Sequence, residues 1–247
     1  MMDGIRLDQL LVDRGTYETR ARARDAIKRG CVAVDGKAVT KPGAMTASDA
    51  AIDLDDPAQP YVSRAALKLI SALDRFDLDP VGQICVDIGA STGGFSQVLL
   101  ERGAAKVFAV DVGHGQLAPQ LDAHEQLVNL ERLNARDLKP EHLGGEAPTF
   151  IVSDVSFISL KLALPPALSL ADAGARCVLL VKPQFEVGRD KIGKNGLVDP
   201  AVATACSESM ITWLDGLEGW QTIGLAPSPI TGGDGNHEFL LAGVKNA

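Results

Sequence analysis

In the first forty residues, apolar positions recur at the spacing of a helix face, and this pattern predicts two short helices. Leu7, Leu10 and Leu11 are spaced as on one face of a helix that ends near Gly15. A second helix is predicted from about residue 18 to residue 29, because its small and apolar residues fall on one narrow arc at 100° per residue. These residues are Ala23, Ala26, Ile27 and Gly30. Both helices therefore have one face suited to burial.

A hairpin and a linker are predicted after the second helix. The segments V-A-V at 32–34 and K-A-V at 37–39 are separated by Asp35-Gly36, a dipeptide typical of a tight turn between antiparallel strands. Residues 55–60, D-D-P-A-Q-P, contain two prolines and no periodicity, and we interpret them as a short linker. The N-terminal part is thus predicted to be a small α+β domain.

Beyond the linker, apolar runs alternate with helical patterns. The apolar runs lie at 84–88, 107–110, 150–152, 177–181, 223–226 and 239–244. The helical patterns lie near 95–102, 158–170 and 199–214. This alternation predicts an α/β domain with a mostly parallel sheet and helices on both faces.

Charge is distributed unevenly along the 247 residues, whose formal net charge is −8. Residues 6–41 carry nine Lys or Arg and five Asp or Glu, so the remaining 211 residues sum to −12. Such asymmetry indicates a polyanionic partner, and we expect nucleic acid rather than an ordinary solvated helix surface. The cations assigned to this contact are Arg6, Arg14, Arg20, Arg22, Arg24, Lys28 and Arg29.

Several classes of protein and site are not expected. No run approaches the ~18–20 consecutive apolar residues of a membrane span. The N-terminal residues M-M-D-G-I-R-L-D lack the basic and apolar segments of a secretory signal. The four cysteines are isolated and the four histidines scattered, so we expect no metal site, no disulfide framework and a cytoplasmic location. Aromatic residues make up only 4%, so a broad base-stacking platform is not expected.

A glycine-rich turn, D-I-G-A-S-T-G-G-F at 87–95, ends one apolar run and opens a helix. A turn of this kind lets the backbone approach a ligand closely, although structural turns are commoner. About 20 residues later a second strand ends in Asp111, a carboxylate suited to the two hydroxyls of an adenosine ribose. The order of the glycines departs from the G-x-G-x-x-G of nicotinamide cofactors, and Asp87 can pair with the ammonium group of S-adenosylmethionine. The turn also resembles motif I of class I methyltransferases, and we therefore favour S-adenosylmethionine.

Charged residues also mark the ends of apolar runs. Lys182 follows C-V-L-L-V, Asp154 follows F-I-V-S, and Glu238 precedes F-L-L-A-G. Such charges form either structural ion pairs or a ligand site, because ligands bind at the carboxyl ends of strands in open α/β sheets. The segment after the fourth strand, D-V-S-F, lacks the prolines of amino-directed base methyltransferases, and no Pro-Cys for 5-methylcytosine formation is present.

These motifs resemble two known families. R-L-D-Q-L-L-V-D-R-G at 6–15, the Arg-rich helix and R-G-C-V-A-V-D-G-K at 29–37 resemble an S4 RNA-binding domain. The turn at 87–95 resembles motif I of class I methyltransferases, and Lys68, Asp154, Lys182 and Glu238 resemble the K-D-K-E tetrad of FtsJ-type ribose 2′-O-methyltransferases. Together with V-K-P-Q-F-E at 181–186 and S-P-I-T-G-x-x-G-N-x-E-F at 228–239, they resemble the TlyA family, named for haemolysin A.

This resemblance implies an S4-like domain at 1–57 and a Rossmann-like class I methyltransferase domain at 58–247. It implies transfer of a methyl group from S-adenosylmethionine to cytidine 2′-hydroxyls of 16S or 23S rRNA, with ribosomal RNA or ribosomal subunits as partner and the tetrad as catalytic residues. The implied cofactor contacts are Asp87, Gly89, Ala90, Ser91, Gly93, Gly94, Phe95, Asp111, Val112, Asn134, Ala135 and Arg136.

Some alternatives stay open at this level. Lys182 activates the hydroxyl either as a neutral base or as a cation that stabilises developing negative charge. The basic loop R-D-K-I-G-K-N-G at 189–196 is either a flap over RNA or an ordinary solvated loop. The rival functions are a non-catalytic RNA-binding protein and a membrane-active haemolysin.

Overall fold

A computed structural model describes residues 4–246, and the chain divides into two compact units, Met1–Pro60 and Tyr61–Ala247. The predicted domain ends at 1 and 247 lie outside the described residues, as do the first three residues of the segment tested for a secretory signal. Each unit is described by itself below. The expected functional boundary between residues 57 and 58 stays a prediction.

The N-terminal unit combines two helices with short strands. Its elements are β1 (Ile5–Arg6), α1 (Leu7–Asp13), α2 (Arg20–Lys28), β2 (Val32–Val34), β3 (Lys37–Ala38), β4 (Met45–Thr46) and β5 (Ile52–Leu54). Strand β2 pairs antiparallel with both β3 and β5, and β1 pairs with β4. The turn at Asp35-Gly36 has positive φ at both residues, as the predicted tight hairpin requires.

Apolar side chains from both helices build the core of this unit. Leu7 and Leu11 of α1 pack with Ala23, Ala26 and Ile27 of α2, as the helical periodicity predicts. Gly30 does not share this buried arc, because α2 ends at Lys28 and Gly30 lies beyond it, exposed, with φ +80°. Its role is therefore to let the chain leave the helix.

Residues 55–60, the expected linker, are bonded to the N-terminal unit. The Asp56 carboxylate accepts hydrogen bonds from the Tyr17 hydroxyl at 2.7 Å and the Arg29 guanidinium at 2.8 Å. Ala58 is buried. Residues 55–60 therefore pack against the N-terminal unit and do not form a free linker.

The larger unit is a doubly wound α/β fold, as predicted. Its elements are α3 (Ala66–Phe76), β6 (Ile84–Ile88), α4 (Gly94–Glu101), β7 (Lys106–Asp111), α5 (Pro119–Asp122), β8 (Leu127–Glu131), β9 (Phe150–Ser153), α6 (Leu160–Ala163), α7 (Pro165–Leu170), β10 (Arg176–Val181), α8 (Pro183–Glu186), α9 (Pro200–Asp215), β11 (Trp220–Pro227) and β12 (Phe239–Lys245). Seven strands form one sheet in the order β11-β12-β10-β9-β6-β7-β8, in which β12 runs antiparallel to both its neighbours.

Alternate strand residues enter two separate cores on opposite faces of this sheet. On β9, Ile151 faces the core formed with α6, α7 and α9, whereas Phe150 and Val152 face the core formed with α3 and α4. Burial on both faces explains why these strands are continuous apolar runs rather than alternating ones. The order of strands reverses between β6 and β9, which is where such sheets bind ligands.

Two differences from expectation concern the helix predicted over 158–170 and strand β8. The helix expected over 158–170 is two helices, α6 and α7, because Pro165 and Pro166 cannot continue the hydrogen-bonding pattern of the first. Strand β8 has no apolar run in sequence, because as an edge strand it carries polar Asn129 and Glu131. In the described part of the chain no helix combines the length and apolarity needed to cross a membrane.

Candidate active site

The carboxyl edge of the large sheet gathers charged residues that lie far apart in sequence. Asp154 follows β9, and its amide donates a hydrogen bond to the carbonyl of Ile88 at 3.1 Å. Lys182 follows β10, and Glu238 precedes β12. Because Val181 pairs with Phe239 across this antiparallel ladder, continuing the register by one residue brings Lys182 opposite Glu238.

Lys182 forms the first of two ion pairs at this edge. Its Nζ lies 2.6 Å from Asp154 Oδ1 and donates a hydrogen bond to Ser156 Oγ at 2.8 Å. A longer hydrogen bond of 3.4 Å reaches the carbonyl of Asp154. The two hydrogen bonds and the ion pair together hold the ammonium group in one position.

Lys68 and Glu238 form the second pair. Lys68 Nζ, on α3, lies 2.6 Å from Glu238 Oε2, and both side chains are less than a tenth exposed. Breaking such a pair leaves an uncompensated buried charge, so each partner depends on the other. The four tetrad residues therefore meet as two pairs, one of which touches the cavity described below.

The glycine-rich turn between β6 and α4 is shaped for close approach. Gly89 has φ +85°, and a Cβ there would lie 3.0 Å from the backbone of Val155. Gly93 has φ +93°, and a Cβ there would lie 2.4 Å from Leu121 Cδ1. Both positions therefore require glycine, which lets the backbone of the turn pack closely against neighbouring residues.

Asp111 at the end of β7 fastens this turn. Its Oδ2 accepts a hydrogen bond from the Ser91 amide at 2.8 Å, and its Oδ1 accepts one from the Gly113 amide at 2.7 Å. Ser91 has φ +49°, a conformation that a bond to a carboxylate helps to hold. Each oxygen keeps a further lone pair for a ligand.

Two cavities of about 550 and 150 Å³ adjoin the turn and share Gly89, Ser91, Asp154 and Ser156. The larger has the size of a typical small-molecule site. Ten of the twelve expected cofactor residues line one cavity or the other, namely Asp87, Gly89, Ala90, Ser91, Gly94, Phe95, Asp111, Val112, Asn134 and Ala135. Gly93 and Arg136 do not line them. Arg136 instead donates a hydrogen bond to Asn134 Oδ1 at 3.2 Å.

Asp87 is a buried carboxylate at the smaller cavity. Its Oδ2 accepts a hydrogen bond from Ser96 Oγ at 2.7 Å, whereas its Oδ1 has no partner among the described residues. Burial raises the pKa of Asp87 to about 7, and the Ser96 hydrogen bond opposes this effect. An unpaired buried carboxylate in a cavity is suited to binding a cation.

Sequence reasoning missed two residues beside Asp154. Ser156 holds Lys182, and Phe157 lies on the rim of the larger cavity with its side chain 91% exposed and its ring 5.2 Å from that of Phe185. Phe157 also has φ +66°, which is rare for an aromatic residue. The only sign of them in the sequence was their position, directly after Asp154-Val155.

The seven expected RNA-binding cations of the N-terminal unit fall into three groups. Arg14, Arg22 and Arg29 are bonded within the unit. Arg14 donates to the carbonyl of Ser48, Arg22 donates to the carbonyl of Gln59, and Arg29 pairs with both Asp25 and Asp56.

Arg6 and Arg20 share one buried partner, since their Nη2 atoms lie 3.0 and 3.1 Å from Asp8 Oδ2. Arg24 and Lys28 are exposed and form no hydrogen bond or ion pair with the residues that the structure describes. Arg24 and Lys28 therefore have the greatest freedom to contact a ligand.

Among residues 4–246, no cluster of three or more His, Cys, Asp or Glu side chains is arranged to hold a metal ion.

Each of the two units matches the model of a known protein family. The model of the FtsJ-like methyltransferases matches residues 61–245, and that of the S4 domain matches residues 5–45. The 16S/23S rRNA (cytidine-2′-O)-methyltransferase TlyA of Mycobacterium tuberculosis is 43% identical over 96% of this chain and 88% of its own length. Hemolysin A of Brachyspira hyodysenteriae is 38% identical over 96% of this chain and 98% of its own length.

A solved structure described as a hemolysin, from Streptococcus thermophilus, is also similar. It covers all of this chain and 90% of its own chain, with a TM-score of 0.76 and 39% identity. The predicted fold of each unit and the predicted family resemblance are therefore confirmed.

Proposed function

This chain belongs to the FtsJ-like methyltransferase family, and on that premise we propose that it methylates the ribose 2′-hydroxyl of a cytidine in ribosomal RNA, with S-adenosylmethionine as donor. The name of the M. tuberculosis relative specifies that reaction on 16S and 23S rRNA. The observation that carries the proposal is the Lys182–Asp154 ion pair, which lies at the cavity wall beside the glycine-rich turn.

The two cavities fit this donor. Bound there, S-adenosylmethionine supplies a methyl group made electrophilic by its sulfonium. The unpaired Oδ1 of Asp87 would accept hydrogen bonds from its ammonium group, and the free lone pairs of Asp111 would accept them from its ribose hydroxyls. Val112, Asn134 and Ala135 line the part of the larger cavity that remains for the adenine.

Lys182 and Asp154 act on the target hydroxyl as a unit. The Lys182 ammonium, held by Asp154 and Ser156, stabilises the hydroxyl oxygen as negative charge develops on it. The Asp154 carboxylate is the proton acceptor of the pair and takes the hydroxyl proton. Of the two roles open to Lys182 we propose the electrostatic one, because its Nζ is held 2.6 Å from the Asp154 carboxylate in an ion pair.

Lys68 serves this arrangement indirectly. The register of β10 and β12 brings Glu238 opposite Lys182, where a free carboxylate would compete with Asp154 for the ammonium group. The 2.6 Å pair between Lys68 and Glu238 neutralises that carboxylate. The second ion pair therefore positions the first.

Phe157 offers the target nucleotide a stacking surface. An aromatic side chain that is 91% exposed at a cavity rim costs free energy in water, and a base covering it recovers that cost. A single ring suits one unstacked base and is consistent with the low aromatic content of the chain. The S4-like domain, 1–57, positions structured RNA through phosphates, and the domain at 58–247 carries out the transfer.

Substitution of Lys182 and Asp154 tests the proposal. Lys182→Ala and Asp154→Asn are each expected to lower methyl transfer to ribosomal subunits at least a hundredfold, because each removes one half of the activating pair. The Kd for S-adenosylmethionine, measured by calorimetry, should stay within a few-fold. Lys139→Ala, which removes an exposed lysine of the same unit, is the matched control. Full turnover by either site variant would refute the assignment.

A further inference from the structure

The methyltransferase unit is poorly suited, as a whole, to approach RNA. Residues 61–247 carry 15 Lys or Arg against 22 Asp or Glu. A surface with this excess of negative charge repels a polyanion, whereas the proposed reaction brings rRNA to its carboxyl sheet edge. Local positive charge near that edge is therefore needed.

One segment beside the site has that charge. Residues 189–196, here called the basic flap, contain Arg189, Lys191 and Lys194 against the single acid Asp190. All three cations are exposed, and none of their side chains forms a hydrogen bond or ion pair with residues in the described range 4–246. Their charge is consequently available to a ligand.

The basic flap has a defined structure. It contains two 3₁₀ turns, Arg189–Lys191 and Lys194–Gly196, and the second is closed by a hydrogen bond from the Gly193 amide to the carbonyl of Leu197 at 2.8 Å. Ile192 and Val198 form an antiparallel bridge across its base. The segment is therefore a small closed loop and not an extended strand of chain.

Both ends of the flap are connected to segments that carry tetrad residues. It follows Lys182 directly through the short helix α8. At its other end the buried Asn236 accepts a hydrogen bond from the Val198 amide and donates one to the carbonyl of Gly196, each at 2.9 Å. Asn236 lies two residues before Glu238, so the flap is held at the edge where the tetrad meets.

Lys161 extends this positive surface from the segment that follows Asp154. The backbone amide of Leu160, next to Lys161 at the start of α6, donates a hydrogen bond at 2.7 Å to Glu186 Oε1, at the end of α8. Because Glu186 lies three residues before Arg189, this bond holds Lys161 near the start of the basic flap. Lys161 is also exposed, and it too forms no ion pair within the described chain.

We infer that the basic flap and Lys161 form a second RNA-binding surface, on the methyltransferase unit itself, that contacts the phosphates flanking the target nucleotide. The inference rests on the proposed rRNA methyltransferase function and resolves the two interpretations of the loop at 189–196. Contacts to phosphates position RNA without reading its sequence, and each one neutralised adds to the salt dependence of binding.

The test compares the variant R189A/K191A/K194A with wild type in binding to purified unmodified ribosomal subunits at several salt concentrations, with methyl transfer measured on the same samples. The Kd for subunits is expected to rise at least about tenfold, and the slope of log Kd against log salt to fall by about two. The Kd for S-adenosylmethionine should not change. R75A/R102A/K139A, which removes three other exposed cations of the unit, should leave subunit binding near wild type.

Each outcome bears on one claim. An unchanged Kd and salt slope in the flap variant, or an equal loss in the control variant, would overturn the inference. A wild-type protein that binds subunits and S-adenosylmethionine but transfers no methyl group would contradict the proposed function, while the binding comparison would still decide the role of the flap.

Discussion

Asp87 combines full burial with an incomplete set of partners. In an unfolded chain an aspartate has a pKa of about 4, whereas burial raises the pKa of Asp87 to about 7 in the folded protein. Between these two values the folded state binds more protons than the unfolded state. The residue therefore destabilises the fold progressively as the pH rises from 4 to 7.

Asp87→Asn is expected to stabilise the cofactor-free protein, because the amide keeps the shape but has no charge to bury. The gain in Tm should be larger at pH 8, where Asp87 is ionised, than at pH 5, where it is protonated. Thermal unfolding at both pH values measures it. A change in Tm at pH 8 that is negative, or no larger than the change at pH 5, would show that the ionised carboxylate does not destabilise the fold.

The affinity for S-adenosylmethionine should depend on pH through the same residue. If the ionised carboxylate receives the ammonium group, affinity should fall about tenfold per pH unit as the pH drops below 7. Asp87→Asn should bind weakly and without this dependence. A wild-type affinity that is constant between pH 5 and 8 would remove Asp87 from the binding site.

At the scale of elements, helix α2 and Arg29, the residue that follows it, carry cations with different tasks. Arg29 is bonded to Asp25 and Asp56, whereas Arg24 and Lys28 are exposed and unbonded in the described structure. R24A/K28A should therefore weaken rRNA binding with little change in Tm. Arg29→Ala should lower Tm clearly, because it leaves the buried Asp56 carboxylate without its cation. Filter binding and thermal unfolding separate the two effects, and the reverse assignment of losses would contradict this division.

The sequence predicted those elements whose burial leaves a clear pattern in it. Strands β6, β7, β9 and β10 are apolar runs because both their faces are covered, and α2 shows its buried arc directly. The short strands β1, β4 and β5 carry too few residues for a periodic signal. Strand β8 is hidden by its polar edge positions. Helical periodicity likewise could not show that Pro165 divides α6 from α7 in space.

At the scale of the whole molecule, the candidate site depends on topology. Lys68, Asp154, Lys182 and Glu238 are distributed over 171 positions of the chain, and only the strand order brings three of them to one sheet edge. Their types and strand-end positions were visible in sequence. Their division into the pairs Lys182–Asp154 and Lys68–Glu238 was not, because pairing depends on side-chain reach across elements.

The central claim is tested most directly by the product of the reaction. Labelled S-adenosylmethionine would be incubated with the protein and purified unmodified 30S and 50S subunits, and the rRNA digested to nucleosides for identification. The account predicts label in 2′-O-methylcytidine, and the labelled subunit identifies the substrate. A base-methylated nucleoside would contradict the role given to Lys182 and Asp154, and no transfer to either subunit by protein that binds S-adenosylmethionine would contradict the proposed substrate.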